Sequence, residues 1–599
     1  MYVETVARNG YRFIAPVTAV EERGTAAVSI RALEEGSTTL VDPPAAELST
    51  RRDWLGYAAT GVGSAGAMWL GMRERVETPA TYRQVTFRRG HVWSARYGPD
   101  GQTILSAAQF DGSARQIYSS NGVSPESRAL GLEGYTLFGV SRRGELALNR
   151  FGGTMPIAGG SLERVPMNGG TPRLAERDVM SADWSPGGES LALVRARDGA
   201  NLLEYPAGKE LYRCAGWLSS VRISPDGLRV AVVEHPVRHD DAGSLRIISR
   251  EGQTVGQTAA WAVIDGLAWK SNEEIWLTAG NGSPKSLWRC DLQGRVVSLE
   301  QAPGALTLAD VTGNRALVIR TAKRLEMVGS SRGAAARELS LHDWSRVADV
   351  SADGRYVLFD ESGEAVGGRL VSYLLDNDGG GAVRLADGAA YCLSPDGRHA
   401  LLAGAAGRTG LRLAPLGGGP MEDLPERGFQ YQWAAFYPDG EQVLALGTPN
   451  AGGLGIYRHS LRGAGAPVAL TPPGMVRHAA VSGDGSRIAV LASNGKFRIY
   501  PAASSGEVVE VPTTEPLAPI RWQADQRHVY VQHLDDYTMV PARVSLLDVV
   551  SGKLRPWKEL GPIDPMGVNS VTRVMVSADE RSWVCSYRRV LSDLFQMTR

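Results

Sequence analysis

At 599 residues the chain is too long for one ordinary domain, so it requires at least two compact units or one long repeat array with large buried cores. Its 64 basic and 64 acidic residues cancel, which excludes a global electrostatic pull toward nucleic acid or an anionic membrane and leaves only local contacts of that kind. With 71 Gly, only 10 Phe and four Cys in no Cys-x-x-Cys pair, the composition favours many short strands over helices and argues against a zinc or disulfide framework.

The first element is a hairpin in residues 1–17, "MYVETVARNGYRFIAPV". Val3, Thr5 and Val6 favour an extended backbone, Asn9-Gly10 suits a type I′ turn, Tyr11, Phe13 and Ile14 return as a second strand, and Pro16 ends the pairing. A lone hairpin is marginal in water, so Tyr11 and Phe13 call for a larger partner. Residues 18–53 mix charge with Ala, Ser, Thr and Pro without periodicity and read as a linker.

Residues 54–72, "WLGYAATGVGSAGAMWLGM", carry no charge. About 19 residues would span about 28 Å as a helix, close to a bilayer core. Trp54, Tyr57 and Trp69 suit the interfaces, and Gly61/Ala65 and Gly63/Ala67 offer a face for helix pairing and hence a dimer. A transmembrane helix is therefore expected here, with a Gly/Ala-rich linker as the alternative; Arg51 and Arg52 on one side and Arg73 and Arg75 on the other leave its orientation open. Residues 73–80 form a second linker.

From about Thr81 one pattern recurs: an apolar strand, a turn on Asp-Gly or its relatives, and a second apolar strand, as in "SVRISPDGLRVAVV", "VADVSADGRYVLFD" and "AAVSGDGSRIAVLA". Pro presets φ at the first corner, Asp bonds its own backbone and Gly takes the left-handed position. Strong and weak copies together number about twelve at intervals of roughly 39 to 54 residues, the spacing of four-stranded propeller blades. The expected fold is all-β, with tandem β-propellers over 81–340 and 341–599 divided six plus six at the Gly/Ala-rich stretch 329–345; seven plus five is the alternative.

Chemistry-bearing motifs are scarce. There is no Gly-x-Ser-x-Gly elbow and no kinase loop set, so no catalytic residue and no cofactor are expected, and the chain reads as a non-enzyme. "EHPVRHDD" gathers His235, His239, Asp240 and Asp241, donors suited to zinc, but a polar hairpin tip is the favoured reading, since Pro236 prevents a helix that would put His235 and His239 on one face. Asp376 and Asp378 in "LLDNDGGG" lack the later Glu of a calcium loop and read as a turn. Cys214, Cys290, Cys392 and Cys585 read as small buried hydrophobes.

The Pro-Asp-Gly repeats resemble the TolB-like propeller family. "QVTFRRGHVWSARYGPDGQTILSAAQFDG", "LSLHDWSRVADVSADGRYVLFDESGE" and "WVCSYRRVLSDLF" look like the extracytoplasmic tails of some bacterial receptor-type kinases and transmembrane regulators. The opening hairpin resembles the C-terminal wing of OmpR/PhoB-type winged-helix domains, with Thr5, Gly10, Tyr11, Arg12 and Phe13 matching; by that resemblance Arg8, Asn9 and Arg12 would approach DNA, and Met1 falls inside the domain. The order of wing, linker, membrane helix and propeller is similar to CadC/ToxR-type one-component regulators. It implies a bacterial inner-membrane protein with a cytoplasmic N-terminus and periplasmic propellers that bind a protein or small-molecule partner, touching DNA only through a complete winged-helix domain. A TolB-like envelope scaffold without a regulatory role is the runner-up, and a propeller enzyme a third reading.

Overall fold

The computed structural model describes the backbone of Val3–Val6 and Gly10–Phe13 and, from 80 to 599, all residues except 123, 125, 151–158, 198, 238–239, 283–284, 301–304, 405–409, 451, 464, 475, 504–505 and 535–539. The chain divides into two compact units, Met1–Glu77 and Thr78–Arg599. In the first, the expected hairpin pairs Val3 with Phe13 and Val6 with Gly10. A two-residue Asn9-Gly10 turn would instead set Val6 against Phe13, so Gly10 is a strand residue and the type I′ assignment is corrected. Arg12 lies opposite Glu4, while Arg8 and Asn9, the linkers 18–53 and 73–79 and the expected membrane span 54–72 lie outside the described residues. No helix among the described residues is long and apolar enough to cross a membrane.

The second unit is all-β among its described residues, apart from a 3-10 turn at Glu364–Val366. The repeated turn explains why. Ser224 Oγ donates to Asp226 Oδ1 (2.5 Å) and accepts from Arg229 N (3.0 Å), Asp226 Oδ1 accepts Leu228 N (3.0 Å), and Gly227 takes φ +74°. The same Ser-to-Asp bond recurs at Ser351/Asp353, Ser394/Asp396, Ser482/Asp484 and Ser577/Asp579. Hydrogen bonds from Ser482, from Ser486 and from the backbone hold the Asp484 carboxyl down at about 2. Ser482 is fully buried, and its hydroxyl both donates to Asp484 (2.6 Å) and accepts from Arg487 N (2.9 Å). Ser482→Ala is therefore expected to cost about 1–2 kcal/mol, read as a lower urea midpoint at unchanged slope.

These turns stitch the chain into small antiparallel sheets of the kind that make propeller blades. Four-stranded sheets cover 90–133, 217–257 and 263–300, then 345–387, 390–423, 429–469, 476–511 and 517–560. Residues 136–214 form a seven-stranded sheet because Arg173–Trp184 serves two groups: Arg173 to Val179 pairs back to Gly160–Pro166, and Val179 to Trp184 pairs forward to Leu191–Arg197.

The remaining sheet is shared in the same way on a larger scale. Arg315–Ser330 and Trp583–Thr598 pair antiparallel along their full length, Arg315 opposite Thr598 and Ser330 opposite Trp583. One end is flanked by Ala305–Thr312 and Thr81–Gln84, the other by Val568–Val576 and Arg337–Glu338. The burial pattern of Arg315–Ser330 follows from this: apolar residues are buried at both ends, while Ala322, Lys323 and Arg324 are exposed at the waist. A linear cut at 340/341 thus leaves Trp583–Thr598 on one side although its second half pairs into the other.

The core clusters lie between neighbouring sheets, except one formed by Ala147, Leu162, Val179 and Leu193 between the two strand groups of 136–214. Val92, Phe110 and Tyr118 pack on Leu317, Ile319 and Leu594, which joins the sheet 90–133 to the shared strands, and Val347, Val357 and Phe359 pack on Met327, Leu339 and Val584 at their other end. Side-chain clasps follow the same seams: Tyr97 N donates to Asp310 Oδ2 (2.8 Å), and Val347 N to Ser586 Oγ (2.8 Å).

Candidate functional site

The first strand of each sheet runs into its turn, and the residue four positions before the turn Asp, or before the Gly or Asn in its place, recurs at one register position of that strand. In the second half of the unit these residues are Asp349, Cys392, Ala435, Ala480, Arg521 and Met575, and all of them line one cavity of about 330 Å³. Arg573, two residues before Met575, lines it as well. In the first half, Arg96, Asp183, Arg222, Ala268 and Asp310, before Asp100, Gly187, Asp226, Asn272 and Asn314, line a cavity of about 250 Å³; this is the first cavity, and that of the second half the second.

In the first cavity the charged side chains are engaged by main-chain groups, with Arg222 Nε left unbonded. Arg96 donates from Nε to Phe138 O (2.9 Å) and from Nη1 to Ala95 O and Ala309 O (2.7 Å each). Arg222 donates to Val221 O (2.8 Å) and Ala309 O (3.4 Å). Asp183 accepts Ile223 N (2.8 Å), and Asp310 accepts Tyr97 N and Val311 N. Burial raises the Asp183 carboxyl against the pull of Arg222, of Ile223 N and of Arg96. Burial, with Arg222 adding, brings Arg96 down to about 9.

The second cavity is balanced differently. Asp349 accepts Val350 N (2.8 Å) and Leu393 N (2.9 Å), and Asp360 behind it is held by Arg346 Nη2 and Ala390 N, each at 2.5 Å. Burial raises Asp349, with Arg521 the largest opposing influence. Neither Arg521 nor Arg573 meets a hydrogen-bond acceptor or an ion-pair partner among the described residues, although both feel the field of Asp349. Burial first and Arg346 second disfavour the charge of Arg573.

Of the sequence-derived metal candidates the structure describes His235, Asp240 and Asp241. His235 is buried and stacked on Trp217 (4.1 Å), with Nδ1 donating to Ala242 O (3.0 Å) and Nε2 accepting from Ser219 Oγ (2.8 Å), so both ring nitrogens are occupied. His239 lies outside the described residues, and Asp240 caps its own loop through Oδ1 to Ala242 N (3.1 Å). Among the described residues no cluster of three or more His, Cys, Asp or Glu is placed to hold a metal ion. Asp376 accepts Asp378 N (3.0 Å), and Asp378 pairs with Arg332 (3.2 Å), as turn residues do. All four cysteines are buried and none is disulfide-bonded, with burial pushing the Cys290 thiol up to about 12.

One half-buried histidine that the sequence did not single out has a strongly shifted pKa. His91 lies against Trp93 (4.1 Å) with Nδ1 buried and unbonded, and burial, with Lys323 and Arg115 adding, brings its pKa from 6.5 to about 4. The folded value lies below the ordinary one, so its contribution to stability is complete above pH 6.5 and is lost as the pH falls toward about 4. His91→Gln is expected to flatten that part of the acid profile, measured as the difference in urea midpoint between pH 7 and pH 4.5.

Fold and cavities define an all-β protein of propeller-like blades with two cavities, one whose arginines are engaged by main-chain carbonyls and one whose two arginines meet no acceptor among the described residues. No protein-family model and no curated protein matches the chain. Among solved structures it is similar to the crystal structure of the tricorn protease, at 13% identity and a TM-score of 0.32, covering 82% of this chain and 55% of that one. The chain therefore spans about half the length of that protein. A likeness of that degree carries no functional argument.

Proposed function

We propose that the second unit is a pair of six-bladed, TolB-like propellers, and that the chain is a membrane-anchored sensor or protein-binding protein derived from a winged-helix transcriptional regulator. Six strand groups surround each cavity once the shared strands are counted in both halves, and this supports the six-plus-six division. Binding in a propeller cavity or on a propeller face would change the pairing or position of the segment 54–72 and so of an attached DNA-binding domain. The sensor reading has its main support in the second cavity, where two arginines face open space rather than the backbone.

Two experiments test this. Class averages from electron microscopy are expected to show two six-lobed discs; a seven-lobed disc overturns the division. In a reporter assay on the regulator carrying its complete DNA-binding domain, removal of 78–599 is expected to abolish signal-dependent transcription. An unchanged response removes the sensor reading and favours the envelope scaffold.

A further inference from the structure

We infer that the second cavity is an oxyanion site for a small organic acid, whose carboxylate is taken by Arg521 and Arg573 and whose apolar body rests against Trp433, Phe436 and Met575. The inference deepens the sensor reading and rests on it for its biological role, but not for its chemistry.

Three observations carry it. The first is the contrast between the arginines of the two cavities, of which Arg521 holds the position of Arg96 and Arg222, and Arg573 lies two residues earlier in its own strand. Arg96 and Arg222 in the first cavity are engaged by main-chain carbonyls, while Arg521 and Arg573 in the second have no acceptor from the protein among the described residues. A guanidinium offers five N–H donors in a planar fork suited to carboxylate, and withholding them from the backbone leaves them for a ligand.

The second is charge. Around the second cavity three guanidiniums, Arg346, Arg521 and Arg573, interact with two carboxylates, Asp349 and Asp360. Both carboxylates are already held by backbone N–H groups, and Asp360 also by Arg346, so one positive charge is left over. A monoanion matches that excess better than a doubly charged phosphate.

The third is size and lining. About 330 Å³ lies at the lower end of the range for small-molecule pockets, roughly 300–1,000 Å³. Ala435, Ala480 and Met575 offer no polar group to compete for the ligand, and Trp433 and Phe436 supply flat apolar surface. Because the two arginines lie on strands from adjacent sheets, 517–560 and 568–576, an anion bridging them would also tie that seam together.

The test uses the full chain in detergent, titrated with acetate, butyrate, benzoate, phenylacetate, phenylacetamide and inorganic phosphate and read by saturation-transfer NMR and by thermal shift. At least one aromatic carboxylate is expected to bind, with phenylacetate at least tenfold tighter than its uncharged amide. This comparison needs no variant and so does not depend on any variant folding. Arg573→Met and Arg521→Met are each expected to weaken binding at least tenfold, and Arg573→Lys to recover part of the loss, in proteins whose melting is checked in parallel.

Equal binding of acid and amide, no binding of any carboxylate up to 10 mM (about 2.7 kcal/mol by RT ln Kd), or retained affinity in Arg573→Met overturns the proposal. Phosphate binding in preference to every carboxylate overturns the choice of an organic acid. If a carboxylate binds through these arginines while removal of 78–599 leaves the regulator's response intact, the sensor reading falls and the site stands. The converse pair of results removes the site and keeps the reading.

Discussion

Removal of residues 583–599 is expected to unfold both halves of the second unit together. Trp583–Thr598 is paired with Arg315–Ser330 at every position from Trp583 to Thr598, and its side chains enter two separate cores. Val584, Cys585 and Tyr587 are buried among residues of the second half, Leu594 and Met597 among residues of the first. Each large apolar side chain contributes about 1.5–3 kcal/mol by burial, and whole domains are stable by only about 5–15 kcal/mol. Loss of the strand also bares the edges of Arg315–Ser330, Thr81–Gln84 and Val568–Val576, whose N–H and C=O groups it now satisfies.

Limited proteolysis with mass spectrometry reads the result. A resistant fragment covering 81–322 in the deletion variant would show that the first half closes without the strand, against this expectation. Leu594→Ala, fully buried, is expected to cost about 2–5 kcal/mol and to lower the unfolding transition of both halves.

How far these features could be read from the sequence depends on how local they are. The blade turn was legible because Pro, Asp and Gly act within four residues; the Ser of the same motif was equally near but its role appears only when its hydroxyl is seen bridging Asp226 and Arg229 N. The cavity residues also carried a signal, a fixed position four residues before the turn Asp or the Gly187 or Asn314 in its place, which brings Arg96, Asp183, Arg222, Asp310, Asp349 and Arg521 into one frame. Nothing local distinguishes Arg222 from Arg521, because the difference lies in whether a carbonyl of another sheet comes within reach. The sharing of strands was not legible at all. Arg320 meets Asp593 across 273 positions, and pairing at that distance leaves no periodicity in either segment. In "EHPVRHDD" the sequence places donors side by side but does not show that His235 turns inward onto Trp217.

Equivalent cavities make opposite predictions for stability. In the first, Asp183→Ala removes the acceptor of Ile223 N and a counter-charge to Arg222 and Arg96, leaving both guanidiniums in partly buried surroundings. Breaking such a set by one partner costs about 3–5 kcal/mol when fully buried, and the lower end, about 3 kcal/mol, applies to this partly open cavity. In the second, Arg573→Met removes a guanidinium that no acceptor among the described residues meets and whose charge burial and Arg346 already disfavour. Asp349 keeps Val350 N, Leu393 N and the field of Arg521, and Asp360 keeps Arg346 and Ala390 N. The expected change is therefore a gain of up to about 1 kcal/mol, seen as a higher urea midpoint at constant slope. A loss beyond about 2 kcal/mol would make Arg573 a structural support like Arg96 and remove the reason to assign it to a ligand. Retaining a charge that the folded chain is more stable without is the behaviour of a binding residue, because the interaction that offsets its burial arrives with the ligand.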